Sequence, residues 1–131
     1  MSARSQEAAA VVVTGYHAHV YFDAATRDQA WALRNLIEEN FDIEMGRFHE
    51  KPVGPHPRFS YQVAFTPAQF GQIVPWLARH RGGLTVFVHG LSGEDWRDHT
   101  DLVIWLGPSV PLNLAMFHPP AGSQPRGSSG P

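Results

Sequence analysis

Hydrophobic and polar positions along this chain change period several times, and each change marks an element. Tyr16 to Phe22 alternates and is rich in aromatic and β-branched residues, which predicts a strand. Tyr16, Ala18, Val20 and Phe22 then share one face, and His17, His19 and Tyr21 the other. From Thr26 the period lengthens to three and four. Ala30, Leu33, Leu36 and Ile37 form an apolar stripe, so a helix is predicted to about Asn40, with Gln29 at capping-box spacing from Thr26. Ile43 to His49 reads as a second strand. Its apolar phase shifts from Ile43 and Met45 to Phe48 across Gly46, the mark of a bulge. A Pro/Gly-rich loop, EKPVGPHPR, follows over Glu50 to Arg58.

Phe59 to Phe65 alternates again and is the third strand. Thr66, Pro67 and Gln69 give the start signals of a second helix, with Phe70, Ile73, Val74 and Leu77 as its buried stripe. Pro75 is expected to kink or loosen it, and Gly82–Gly83 to stop it. Leu84 to His89 is a fourth strand, with Leu84, Val86 and Val88 on one face and Thr85, Phe87 and His89 on the other. Asp101 to Leu106 is a short fifth strand. HVYFDAAT and QVAFTPAQ occupy matching places before the two helices, so the chain reads as a doubled β-α-β. The expected fold is α+β and ferredoxin-like (βαββαβ): an antiparallel sheet with two helices on one face, plus an extra C-terminal strand. The other face is open unless a second chain or that strand covers it, which suggests a homodimer.

Length and composition narrow the possibilities. A chain of 131 residues fits one domain, placed at 12–117 between a flexible N-terminus, 1–11, and a Pro/Gly/Ser-rich tail, 118–131. A net charge of −2 argues against nucleic-acid binding by phosphate neutralisation. No apolar run is long enough for a membrane helix and no secretory signal is evident, so the expected location is the cytoplasm with no membrane partner. With no cysteine, disulfides, iron–sulfur clusters and thiolate zinc sites are excluded. Nucleotide-loop, HExxH and GxSxG motifs are also missing.

The chain does carry eight histidines, and the strand pattern divides them. His17 and His19 lie at i and i+2 on a strand, about 6.5–7 Å apart along one face, a spacing that lets two imidazoles converge on one ion. In the expected fold the first and fourth strands are neighbours, and His89 falls on the same face. Three histidines leave coordination positions open, as a catalytic metal requires. The bland reading of each is a histidine on a solvated or partner-covered face. His99, in GEDWRDHTD, belongs to a loop that can reach back over that face as a proton-transfer group, with Asp98 or Asp101 to orient a histidine or complete a metal shell. His56 and Arg58 lie in GPHPR. A rigid surface loop is one reading; the other is a site wall, with His56 on a phenolic oxygen and Arg58 on a substrate carboxylate. The face of His49 stays open because of Gly46, and His80 and His118 read as bystanders. Trp96, Trp105 and Phe117 belong to core, interface or an aromatic wall.

YHAHVYF at Tyr16–Phe22, GPHP at Gly54–Pro57, and VHG, GEDWRDHTD and WLG between Val88 and Gly107 resemble the DOPA 4,5-dioxygenase family of small extradiol aromatic-ring-cleaving enzymes. The resemblance runs from about Gly15 to Phe117. It implies a ferredoxin-like dimer, a ferrous cofactor, and a DOPA-like catechol and O2 as substrates, cleaved beside the hydroxyls to a muconate-type semialdehyde. Metal-ligand roles fall to His17, His19 and His89, acid–base or substrate roles to His56 and His99, and carboxylate binding to Arg58. The usual non-haem ferrous triad includes a carboxylate. None sits in the HAH strand, so either Asp98 or Glu94 reaches in or the site is all-histidine and would also accept zinc. The alternatives are a non-catalytic ferredoxin-like dimer that holds a metal or small ligand, and an interaction protein with scattered histidines.

Overall fold

The computed structural model describes residues 11–119. The expected flexible segments 1–11 and 118–131 lie almost wholly outside the described residues. Five strands, β1 (Gly15–Phe22), β2 (Glu44–Met45), β3 (Phe59–Phe65), β4 (Val86–Leu91) and β5 (Val103–Leu106), form one antiparallel sheet in the order β2-β3-β1-β4-β5. Helix α1 (Arg27–Asn40) joins β1 to β2, and α2 (Phe70–His80) joins β3 to β4. The first four strands and two helices are the ferredoxin-like βαββαβ unit, and β5 extends its edge. Between β4 and β5 the expected polar loop folds into one helical turn, α3 (Asp95–Asp98). No described helix is long and apolar enough to cross a membrane.

Strand alternation sorts the residues as the pattern requires. Ala18, Val20 and Phe22 of β1, Tyr61, Val63 and Phe65 of β3, and Val86 and Val88 of β4 pack with Ala30, Leu33 and Ile37 of α1 and Ile73 and Leu77 of α2 in a single core. Leu36 departs from the expected stripe and is exposed. Helix α2 begins as expected. The Gln69 backbone N–H donates to Thr66 Oγ1, the Thr66 N–H donates to Gln69 Oε1, and Pro67 opens the turn. It continues through Pro75 to His80 and ends at Gly82, whose φ of 56° favours glycine.

At α1 the reciprocal pair is not Thr26–Gln29. The Asp23 N–H donates to Thr26 Oγ1 and the Thr26 N–H to Asp23 Oδ1, which starts the helical path three residues earlier. Gln29 instead donates to the Gly82 carbonyl and ties α1 to the end of α2.

The second strand is shorter than expected and does contain a bulge. Met45 faces Val63, but His49 faces Ser60: four residues on one side span three on the other. The extra residue falls at Gly46, where a Cβ would stand 3.2 Å from the Gln62 carbonyl oxygen. A one-residue offset inverts the alternation beyond it. Phe48 therefore joins the core beside Phe22 and Tyr61, and His49 turns to the opposite face.

That opposite face is partly covered by the chain itself. Thr85 Oγ1 donates to the Pro108 carbonyl, Val110 packs on Tyr21 and Phe87, and the Asn113 N–H donates to the Pro55 carbonyl. Residues 107–117 thus run from β5 across the sheet to the loop that carries His56. Part of the surface expected to await a second copy is occupied by the chain itself, while β5 remains an edge strand with Ile104 exposed.

Candidate metal centre

On β1 and β4, His17 and His89 are direct cross-strand partners, and His19 follows two residues from His17 on the same face. Ligand nitrogens of His17, His19 and His89 all lie within 4.8 Å of one another. His19 Nε2 and His89 Nε2 are 3.1 Å apart. Imidazole nitrogens bind first-row metals at about 2.0–2.1 Å, so two ligands of one ion stand roughly 3 Å apart. The spacing therefore fits a shared ion. Among the described residues no carboxylate joins this group. Asp98, expected to orient a histidine or complete the shell, is buried. One of its oxygens accepts from the Ser92 N–H and from Ser92 Oγ, so it secures the loop after β4.

His56 and His99 flank the three. The His56 ring lies 4.1 Å from that of His19, and the His99 ring 4.3 Å from that of His89. The first comes from the Pro-bounded loop and the second from the end of α3, so the structure brings together all five histidines singled out by pattern. Phe117 packs at a tilt against His99, while Trp105 stacks on Phe87 and Phe87 on His19, which makes an apolar surround of the expected aromatic wall. Trp96 is buried in α3. His80 stacks on Trp76, and His118 is exposed.

Burial governs the charge state. Desolvation is the main cause of a lowered pKa at His17, with His99 adding to it. At His19 the same desolvation, reinforced by His56 and His89, holds the pKa well below the usual imidazole value. Desolvation brings His56 to about 4 and His89 to about 3, the latter against an opposing hydrogen bond to the Gly90 carbonyl. These four rings are neutral at pH 7, and His17, His19 and His89 each keep a ring lone pair for a metal. His89 Nδ1 donates to the Gly90 carbonyl at 3.0 Å, which fixes its tautomer and leaves Nε2 as the acceptor.

Two neighbours were not singled out in advance. Tyr21 is buried on the histidine side, and its hydroxyl lies 2.7 Å from His56 Nδ1. Its place two residues after His19 was the available signal. His49 lines a cleft of about 180 Å3 with His19, His56 and Gln62. Only the length of the bulge could have assigned its face. Arg58 is exposed and lines a separate cleft with Phe22 and Asp23.

The Dopa 4,5-dioxygenase family matches residues 16–116 of the chain. The chain is 35% identical over 109 residues to a DOPA 4,5-dioxygenase of Amanita muscaria, covering 76% of this chain and 48% of that protein. It is 37% identical over 113 residues to an uncharacterized 21.2 kDa protein of Botryotinia fuckeliana, covering 77% and 62%. It thus spans about half to under two-thirds of the length of these relatives. A crystal structure of a proposed dioxygenase from Nostoc punctiforme superposes with a TM-score of 0.76 at 47% identity, covering 78% of this chain and 89% of that one.

Proposed function

The chain belongs to the Dopa 4,5-dioxygenase family, and on that premise we propose that it cleaves a DOPA-like catechol with O2, beside the ring hydroxyls, to a muconate-type semialdehyde. The observation that carries this reading is the convergence of His17, His19 and His89 within 4.8 Å on one sheet face. These residues would hold a ferrous ion and leave coordination positions open. When bound, that ion supplies the redox chemistry that lets a catechol react with dioxygen.

The chain's own residues do the rest. Neutral His17, His19 and His89 can each present a nitrogen lone pair with no net release of a proton. His89 is held in its ligating tautomer by the Gly90 carbonyl. Phe87, Trp105, Val110 and Phe117 limit water around the ring. His56 and His99 stand next to two of the ligands and exchange protons or hydrogen bonds with the phenolic oxygens. Arg58, exposed in a neighbouring cleft but close enough for its charge to act on Tyr21, would attract a carboxylate on the substrate side chain.

The deciding experiment is oxygen consumption by protein purified metal-free, reloaded with ferrous ion and offered catechols including DOPA. Uptake with stoichiometric loss of the catechol and a new semialdehyde absorbance is expected. Catechols bound and recovered unchanged from the iron-loaded protein would overturn the reading in favour of a ligand-binding dimer.

A further inference from the structure

We infer that the two outer histidines are locked in opposite tautomers, His56 presenting an N–H at Nε2 and His99 a bare nitrogen, and that Tyr21 is the positioning residue that sets His56. His99 Nδ1 lies 2.7 Å from the Asp95 carbonyl oxygen. A carbonyl can only accept, so Nδ1 carries the proton and Nε2 the lone pair. His56 Nδ1 lies 2.7 Å from the Tyr21 hydroxyl. Here the partner is a phenol, a better donor than a neutral imidazole N–H. Among the described residues that hydroxyl has no other hydrogen-bond partner to receive its proton. The phenol therefore donates, Nδ1 accepts, and the His56 proton sits on Nε2.

The consequence deepens the proposed ring cleavage and rests on it. His99 accepts a proton from a catechol hydroxyl at Nε2 and becomes an imidazolium, which can later return that proton. His56 cannot give up its Nε2 proton without becoming an imidazolate, so it acts as a fixed hydrogen-bond donor to a negative substrate oxygen. The two histidines are thus one base and one oxyanion donor, rather than two interchangeable acid–base groups. Tyr21 touches neither substrate nor metal ligand in this role and acts through His56.

The test is ring-nitrogen NMR of the full-length protein, metal-free and zinc-loaded, followed by kinetics of the ferrous enzyme. The 15N shifts and two-bond couplings should show a pyridine-like Nδ1 and protonated Nε2 at His56, and the reverse at His99. In Tyr21→Phe, the His56 signals should move toward a tautomer mixture while those of His99 stay fixed. Its kcat should fall about 10–100-fold with little change in KM. His56→Gln, which retains an amide N–H donor, should keep more activity than His56→Ala. A proton on Nδ1 of His56 in the wild type overturns the inference, even if Tyr21→Phe fails to fold. An unchanged kcat in folded Tyr21→Phe also overturns it. Tautomers as assigned with no catechol cleaved would instead remove the ring-cleavage reading and leave the locking intact.

Discussion

On β1, Ala18, Val20 and Phe22 face the helix-covered core, while their sequence neighbours His17, His19 and Tyr21 face the other way. Both faces are buried, but by different means. The first is filled by side chains whose removal from water is favourable at about 25 cal/mol per Å2. The second is closed by a loop, a one-turn helix and residues 107–117, which desolvate imidazoles that would otherwise titrate near neutrality. Burial stabilises the fold on one side. On the other it works against charging and prepares neutral ligands. Stability and chemistry are thus assigned to alternate residues of one strand.

The strongest way to break this division is to truncate adjacent residues. His19→Ala should abolish metal binding by elemental analysis and reduce catechol-dependent oxygen uptake to background, with the circular dichroism of the fold retained. Leu77→Ala, on the helix face, should do the reverse. It should cost about 2–5 kcal/mol in denaturant unfolding, while activity per folded molecule stays near wild type. Loss of fold in His19→Ala, or loss of activity without loss of stability in Leu77→Ala, would show that the two faces do not divide labour this way.

Next in size is the response to acid. His56 and His89 titrate at about 4 and 3 in the folded protein, against about 6.5 when solvated. Between those limits the unfolded chain binds more protons than the native one, so stability rises with pH. It should be fully present above about pH 6.5 and fall as the pH drops toward 3. Urea unfolding across that range checks the sign. A bound divalent ion should steepen the loss, because protons compete with it for the same nitrogens, and at neutral pH should raise the melting temperature with the logarithm of its concentration once that exceeds Kd.

How far the sequence could be read also differs between the faces. The helix face follows from period alone: Ala30, Leu33, Ile37, Ile73 and Leu77 are buried where spacing places them. Leu36 is the exception, because α1 lies on the sheet along a stripe too narrow to include it. On the other face, His17, His19 and His89 were legible because alternation is local and the strand order puts β1 beside β4. The site's outer parts come from contacts distant in sequence. His56 meets Tyr21 across 35 residues, and His99 reaches its place through α3, a turn with no periodic signature. His49 depends on a single extra residue at Gly46, whose presence was visible as a phase shift but whose effect on facing needed the register. The aromatic cover by residues 107–117 has no repeating pattern, so only the fold discloses it.

The smallest expected effect sharpens the comparison most finely, because it uses two tyrosines on the two faces. Tyr61 and Tyr21 are both buried, and each hydroxyl has a hydrogen-bond partner: the Ala30 carbonyl at 3.0 Å for Tyr61, His56 Nδ1 for Tyr21. Tyr61→Phe removes a bond between sheet and helix α1. The Ala30 carbonyl is left short of one donor, so the substitution should cost about 1 kcal/mol of stability. Nothing on the histidine side touches that hydroxyl, so kcat and KM should be unchanged. Tyr21→Phe removes a hydroxyl of the same kind, but its effect should appear in kcat. Thermal melts and steady-state kinetics on the two variants, measured side by side, separate the contributions. If Tyr61→Phe lowered kcat as much as Tyr21→Phe, the strand would be transmitting disturbance between its faces, and alternation would describe geometry without dividing function.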